Sequence, residues 1–212
     1  ALVHCFKETG AKKCVVGAER TNNLAEIMPE LVQSLSLEPG RDYFWVPDEA
    51  EHTDDFFCPD WAEDIALAMA AMPKGNLSVT REITSGETGT YVFTSGTTGP
   101  PKASVQRHLK YVIAARLVSK LGFRVKPTDR LYLCLPLYHS TGMVPGLVSF
   151  MANGASIFLR RSFSVSNFWP EVQQYQANCF VYVGELCRYL ADQPESDIEK
   201  NNPLMKMMGN GL

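Results

Sequence analysis

The 212-residue sequence predicts an α/β fold in which mostly parallel strands are covered by helices. From about residue 90 onward, short apolar runs alternate with stretches whose apolar residues recur at helical spacing. The runs at 131–135 and 179–183 are almost continuously apolar, which is typical of strands buried on both faces. Because strand–helix–strand units of this kind form parallel sheets, we expect helices on both faces of the sheet.

The first 75 residues are less regular and are predicted to form a separate α/β portion, 1–75. Its expected elements are a helix ending at Gly10, a strand at 13–17 and an amphipathic helix over 21–36. A further helix is predicted over 61–72, with Asp60 as its candidate N-cap.

A second α/β portion is predicted over 90–212, joined to the first by a polar, glycine-rich linker at 76–89. It opens with a strand at 90–95, a loop of small residues and a helix over 104–122. The later elements are a helix over 142–152, a strand at 156–159, a helix capped by Ser164 with Phe163 and Phe168 as a hydrophobic staple, a strand at 179–183, a helix over 185–192 and a strand at 204–208.

Composition narrows the function classes. The chain has 20 Lys and Arg against 23 Asp and Glu, a net charge of −3, which argues against a nucleic-acid-binding domain. Its six cysteines form no C-x-x-C pair and its four histidines are scattered, so buried, reduced thiols of a cytoplasmic protein are expected rather than disulfides or a zinc site. Proline and glycine interrupt the longest apolar stretch, so no transmembrane helix is expected.

The segment from Thr94 to Lys102, TSGTTGPPK, carries the clearest chemical signal. Glycines let backbone N–H groups turn toward an anion, hydroxyl groups add donors, and a lysine adds a positive charge. A predicted strand precedes this loop and a predicted helix follows it, which indicates phosphate binding. The spacing differs from the G-x-x-x-x-G-K-[ST] loop, which excludes a P-loop kinase. A surface turn of small residues is the alternative. The predicted phosphate-binding residues are Thr94, Ser95, Gly96, Thr97, Thr98, Gly99 and Lys102.

Three segments resemble one known superfamily. YVFTSGTTGPPK is similar to the phosphate-binding signature of adenylate-forming enzymes, and LPLYHSTG (135–142) resembles their substrate-pocket motif. VYVGELCRYLADQPE (181–195), followed by MGNGL (208–212), resembles the fatty-acid transport protein or very-long-chain acyl-CoA synthetase branch. The resemblance implies part of the large N-terminal domain, with the C-terminal domain absent, so we expect an internal piece of a longer enzyme that is inactive alone.

The resemblance also implies an activity. The expected reaction is ATP-dependent ligation of a long- or very-long-chain fatty acid to coenzyme A through an acyl-adenylate, with Mg²⁺ as cofactor. Ligation of a carnitine-like or aryl acid, or a fatty-acid uptake module without strong ligase activity, are the alternatives. Fatty acid, ATP and coenzyme A are the expected partners, nucleic acid is not, and peripheral association with a membrane stays open, as does the oligomeric state.

Site residues follow from matching the motifs position by position. Lys102 and His139 match residues at the reacting groups, and Thr97 is the candidate metal contact. The segment matching the adenine contact is Gly209, Asn210 and Gly211, and the expected substrate pocket contains Tyr138, His139, Tyr182, Gly184 and Glu185. Ordinary structural roles stay open for four of them: core packing for His139 and Tyr182, a helix start for Glu185 and a solvated lysine for Lys102.

Overall fold

The computed structural model of the protein describes residues 1–47, 57–94 and 99–211. The chain divides into two compact units. The first unit comprises Ala1–Ile83 and Phe93–Ser104, and the second comprises Thr84–Val92 and Val105–Leu212.

A three-stranded parallel sheet organises the first unit. Its elements are α1 (Leu2–Thr9), β1 (Cys14–Gly17), α2 (Thr21–Ser34), β2 (Tyr43–Val46), β3 (Glu63–Asp64) and α3 (Ile65–Ala70), and the strand order is β1-β2-β3. Leu24 and Leu31 of α2 pack with Tyr43 and Trp45 of β2 in the core. The indole N–H of Trp45 donates to Thr21 Oγ1 at 2.9 Å, which fixes the start of α2 against the sheet.

Two predicted helix ends in this unit have different outcomes. Helix α1 ends at Gly10, as predicted, and Gly10 has a left-handed φ of 63°. The prediction that Asp60 caps the later helix is wrong, because Asp64 does so by accepting from the N–H groups of Ala66 (2.8 Å) and Leu67 (3.3 Å). The helix starts late because β3 pairs with β2.

The predicted helix over 104–122 begins later than expected. The strands β4 (Thr88–Thr94) and β5 (Lys102–Arg107) form a two-stranded sheet, and the division between the units falls within them. Helix α4 follows at His108–Leu117 and continues as a π-helical turn over Val118–Gly122. The prediction that the small-residue loop leads directly into a helix is therefore wrong, since pairing with β4 holds residues 102–107 extended.

A four-stranded parallel sheet forms the centre of the second unit. Its strands are β6 (Arg130–Leu133), β7 (Ser156–Leu159), β8 (Cys179–Val183) and β9 (Lys206–Asn210), in the order β7-β6-β8-β9. The connecting helices are a π-helical segment at Gly142–Val148 continued by α5 (Ser149–Met151), then α6 (Val165–Gln174), α7 (Gly184–Ala191) and α8 (Asp197–Lys200).

The two central strands, β6 and β8, are buried on both faces of this sheet. On one face Leu131 and Val181 pack against Phe150, and on the other Tyr132 packs in edge contacts against Phe168 and Phe180. This arrangement confirms the predicted α/β class with parallel strands covered by helices. Among the described residues no helix is long and apolar enough to cross a membrane.

The start of α6 confirms a local prediction. Ser164 accepts a hydrogen bond from the N–H of Asn167 at 3.4 Å, so it caps the helix. The ring centroids of Phe163 and Phe168 lie 6.1 Å apart, which makes them the predicted hydrophobic staple.

Polar groups at the amino edge of the sheet are closely paired. The buried carboxylate of Asp129 accepts from Lys206 Nζ (2.6 Å), Asn178 Nδ2 (2.9 Å) and the N–H of Lys126 (2.8 Å). Asn178 Oδ1 in turn accepts from the N–H of Arg130 at 2.8 Å. These bonds join the beginnings of β6, β8 and β9, so this edge is a structural clamp.

Candidate active site

The strand order creates a crevice at the carboxyl edge of the four-stranded sheet. After β6 the chain crosses to β7, which lies on one side of β6. Strand β8 lies on the other side of β6 and is followed by β9, further out on that same side. The connections after β6 and β8 therefore leave in opposite directions. Open α/β sheets bind ligands at such a switch point.

The connection after β6 carries His139. Its N–H donates to Pro136 O at 3.1 Å, and its carbonyl accepts from the N–H of Met143 at 2.9 Å, so the backbone is held at both sides. A Cβ on Gly142 would lie 2.6 Å from Pro136 O, which explains the glycine at this close approach. The His139 ring is exposed, contacts the Tyr138 ring at 4.8 Å and makes no hydrogen bond to any described residue. The core-packing alternative for His139 is therefore wrong.

The glycine segment lies beside the end of β8. Tyr182 is in register with Gly209, and a Cβ on Gly209 would lie 2.3 Å from Tyr182 O, closer than atoms approach. A Cβ on Gly211 would lie 3.8 Å from the N atom of Gly184. Four residues predicted from the motifs thus meet at this edge.

The glycine segment also reaches the His139 connection. Asn210 Nδ2 donates to Thr141 Oγ1 at 3.3 Å, two residues beyond His139. Thr141 was not among the predicted site residues, although it stands within the LPLYHSTG motif. The bond joins the loop after β6 to the end of β9, so the two predicted motifs lie together at this edge.

The other pocket residues, Tyr182 and Glu185, have structural contacts of their own. Tyr182 is half-buried and its ring contacts that of Phe180 at 6.0 Å. Glu185 lies in the first turn of α7 and forms an exposed ion pair with Arg188. Such surface pairs contribute little to stability, so the Glu185 carboxylate is held only weakly.

Of the predicted phosphate-binding loop, Thr94, Gly99 and Lys102 lie within the described residues, and Ser95, Gly96, Thr97 and Thr98 lie outside them. Thr94 Oγ1 donates to Lys102 O at 3.5 Å, and the Lys102 side chain is exposed at the first position of β5. These residues belong to the first unit, whereas His139 and 209–211 belong to the second. No helix N-terminus stands at Lys102, so any anion there depends on loop N–H groups, hydroxyl groups and the lysine.

One residue that supports this loop was not predicted. His4 Nε2 lies 2.9 Å from Pro101 O, and since a carbonyl only accepts, His4 donates. This bond ties helix α1 to the end of the loop within the first unit. The two residues are 97 positions apart, and no local pattern could have indicated the contact.

Cys134 and Cys179 are not suited to act as nucleophiles. Cys134 directly follows β6 and burial raises its pKa to about 12, and burial likewise raises the pKa of Cys179 to about 12. Thiols with such pKa values stay protonated at neutral pH and are poor nucleophiles. All six cysteines are free.

Two proteins of known name are similar to this chain in sequence. Human long-chain fatty acid transport protein 3 is 35% identical over 211 residues, which are 100% of this chain and 29% of that protein. The medium/long-chain-fatty-acid–CoA ligase FadD6 of Mycobacterium tuberculosis is 40% identical over 150 residues, 71% of this chain and 25% of that protein. The chain therefore spans less than a third of the length of either relative.

Solved structures share the fold. The inhibitor-bound N-terminal domain of FACL13 from Mycobacterium tuberculosis matches with a TM-score of 0.77 at 17% identity, covering 100% of this chain and 47% of that one. ATP-bound MatB from Rhodopseudomonas palustris matches with a TM-score of 0.73 at 17% identity, covering 98% and 37%. A family model described as AMP-binding enzyme matches residues 1–210. Since that match runs through nearly the whole chain, the protein belongs to the AMP-binding enzyme family, and its predicted place in the adenylate-forming superfamily is confirmed.

Proposed function

We propose that the protein to which this chain belongs is an ATP-dependent long- or very-long-chain fatty acid–CoA ligase. The observation that carries this proposal is the convergence of His139, Gly184 and 209–211 at the switch point of a parallel sheet. The names of FadD6 and of the transport proteins support a fatty acid as the substrate class.

The proposed reaction has two steps. A carboxylate oxygen of the fatty acid attacks the α-phosphorus of ATP, a P–O bond forms, and the bond to the β-phosphate oxygen breaks to release pyrophosphate. The sulfur of coenzyme A then attacks the acyl carbon, its proton passes to solvent, and the C–O bond to AMP breaks. The first step brings two anions together, so positive and dipolar groups must stabilise it.

We assign these stabilising roles to the loop and the edge. Lys102 and the hydroxyl groups of the loop would hold the triphosphate. The Lys102 side chain is exposed in β5 and is therefore available for this contact. The close approach of Gly209 to Tyr182 leaves a flat backbone surface suited to a planar base, and His139 would contact the acyl phosphate. Mg²⁺, when bound to the nucleotide, would offset charge on the phosphate oxygens, with Thr97 as the proposed contact.

Two alternatives differ from this proposal in substrate or class. A ligase for a carnitine-like or aryl acid would use the same loop with a different pocket. A fatty-acid uptake module would bind fatty acid equally with and without ATP, and the names of the transport proteins favour keeping it as the second candidate. A carrier has no need of the loop from Thr94 to Lys102.

The test is acyl-CoA formation by the full-length protein with fatty acids of increasing length. We expect activity to peak at long chains and Lys102→Ala to lower kcat/KM by about a hundredfold, because a donor to transition-state charge is lost. Lys120→Ala is the matched control, since Lys120 is exposed and makes no hydrogen bond or ion pair with a described residue. Fatty-acid binding without turnover of any acid would contradict the ligase and support the carrier.

We further propose that the protein associates peripherally with a membrane. Residues 88–128 contain seven Lys and Arg and no Asp or Glu, and Leu109, Ile113 and Leu117 of α4 are exposed. Each basic residue at an anionic surface is worth about 1 kcal/mol. We expect the full-length protein to sediment with phosphatidylserine-containing vesicles more than with neutral ones, and equal sedimentation with both would contradict the proposal.

A further inference from the structure

A cleft of about 310 Å³ lies at the carboxyl edge, within the second unit. Ala114, Val144, Pro145 and Met208 give it an apolar wall. Its rim includes Asn210, which bonds to Thr141 and so belongs to the site described above. A cleft with an apolar wall and a few polar rim groups suits an amphiphilic ligand.

Lys110 is the one charged residue among the described residues that line this cleft. It occupies the third position of α4, is exposed, and its side chain makes no hydrogen bond or ion pair with any described residue. Within the part of the chain that the structure describes, no acidic side chain lines the cleft, and none occurs in the sequence between Glu87 and Asp129. The Lys110 ammonium therefore has no competing counter-ion here, and an anionic ligand meets no like charge.

Lys110 also borders a second apolar cleft along α4. Lys110 and Ala114 line both clefts. The second cleft, of about 560 Å³, has one further basic residue, Arg107, and is otherwise lined by four apolar residues: Val105, Leu109, Ile113 and Leu117. A lysine packs its methylene stem along apolar surface and presents its charge at the boundary. Its position thus fits the junction of an anionic head and a hydrocarbon chain.

We propose that Lys110 binds the carboxylate of the fatty acid before adenylation. The hydrocarbon chain would lie against the apolar wall of the first cleft, formed by Ala114, Val144, Pro145 and Met208. This inference rests on the proposed function, because that function supplies a fatty acid as the ligand. It adds a substrate-binding residue outside the three motifs that predicted the site. An ammonium–carboxylate contact beside apolar groups is stronger than the same contact in open water.

The test compares a fatty acid with the alcohol of equal chain length, bound to the full-length protein with a non-hydrolysable ATP analogue present. Lys110→Met keeps the stem and removes the charge, so we expect the Kd of the acid to rise about tenfold while that of the alcohol stays unchanged. Lys110→Arg should restore acid binding, and Lys120→Met should leave both Kd values unchanged.

Three outcomes would overturn the inference. An equal loss of acid and alcohol binding would assign Lys110 a packing role, and no change in either Kd would leave it without a role in binding. A raised KM for coenzyme A with an unchanged Kd for the acid would assign it to a phosphate of coenzyme A. Because equilibrium binding needs no turnover, acid binding that depends on Lys110 in a protein that forms no acyl-CoA would refute the ligase alone.

Discussion

The two edges of the four-stranded sheet use polar residues in opposite ways. At the amino edge, buried Asp129 has three hydrogen-bond donors, and Asn178 is paired on both sides of its amide. At the carboxyl edge, the side chains of His139 and Lys110 are exposed and make no hydrogen bond or ion pair with a described residue. Paired groups stabilise a fold, whereas unpaired ones are available to a ligand. This difference supports the proposal that the amino edge maintains the sheet and the carboxyl edge binds the ligand.

Two glycines at the carboxyl edge allow the backbone to approach closely. At the carboxyl edge Gly142 and Gly209 each stand where a Cβ would lie less than 3 Å from a backbone oxygen. These close approaches bring the loop after β6 and the end of β9 to the crevice. The backbone of this edge is therefore closely packed, while the side chains of His139 and Lys110 make no hydrogen bond with a described residue.

The largest expected effect is at the amino edge. Asp129→Ala leaves the Lys206 ammonium and two N–H donors without their acceptor, so we expect it to lower the free energy of unfolding by about 3 kcal/mol. Urea unfolding followed by circular dichroism measures this change. Asp192→Ala is the control, because Asp192 is exposed and its carboxylate makes no hydrogen bond with a described residue. Equal stability of the two variants would show that the hydrogen bonds of Asp129 do not stabilise the amino edge.

A backbone clash at the carboxyl edge should have the next largest effect. Gly209→Ala places a methyl group against Tyr182 O and its ring, which forces β9 away from β8 and costs about 2 kcal/mol of unfolding free energy. Nucleotide binding should weaken as well. In Gly86→Ala the new Cβ would meet nothing within 4 Å, so this variant should unfold like the parent. Calorimetry with and without ATP tests both statements.

Acidification should weaken the amino edge selectively. Burial alone would raise the pKa of Asp129, but hydrogen bonds from Lys206, the Lys126 N–H and Asn178 outweigh it and hold this pKa below the ordinary value. A depressed pKa in the folded state stabilises the protein above the unfolded-state pKa, and this stabilisation is lost as the pH falls through the folded-state value.

Unfolding free energies measured at a series of pH values between neutral and strongly acidic test this expectation. Below about pH 4 the parent should lose stability more steeply than Asp129→Asn, which has no proton to gain at this position. Parallel pH profiles for the two proteins would show that Asp129 does not carry the dependence.

The smallest effect on stability is expected at His139. Its ring is exposed and unpaired among the described residues, so His139→Ala should change the free energy of unfolding by less than about 0.5 kcal/mol. Acyl-adenylate formation should nevertheless fall by about tenfold or more, because a group positioned at the reacting atoms is lost. A His139→Ala variant that is destabilised and fully active would show that His139 has a structural role and no role in the reaction.

The elements that depend on neighbouring residues could be predicted from the sequence. The strands at 156–159 and 179–183, the end of α1 at Gly10 and the Ser164 cap were all predictable, because each rests on spacing or a cap within a few positions. The three motifs likewise identified the family, since residues that must contact one ligand keep a recognisable local order.

The features that depend on strand pairing could not be predicted from the sequence and are seen only in the folded chain. Residues 104–107 have a pattern compatible with a helix but pair with β4, and Asp64 rather than Asp60 caps α3 because β3 pairs first. The order β7-β6-β8-β9 brings His139, Thr141 and 209–211 to one edge and joins Asp129 to Lys206, 77 positions later. Pairing between distant segments is chosen by the burial of whole faces, which no local pattern records.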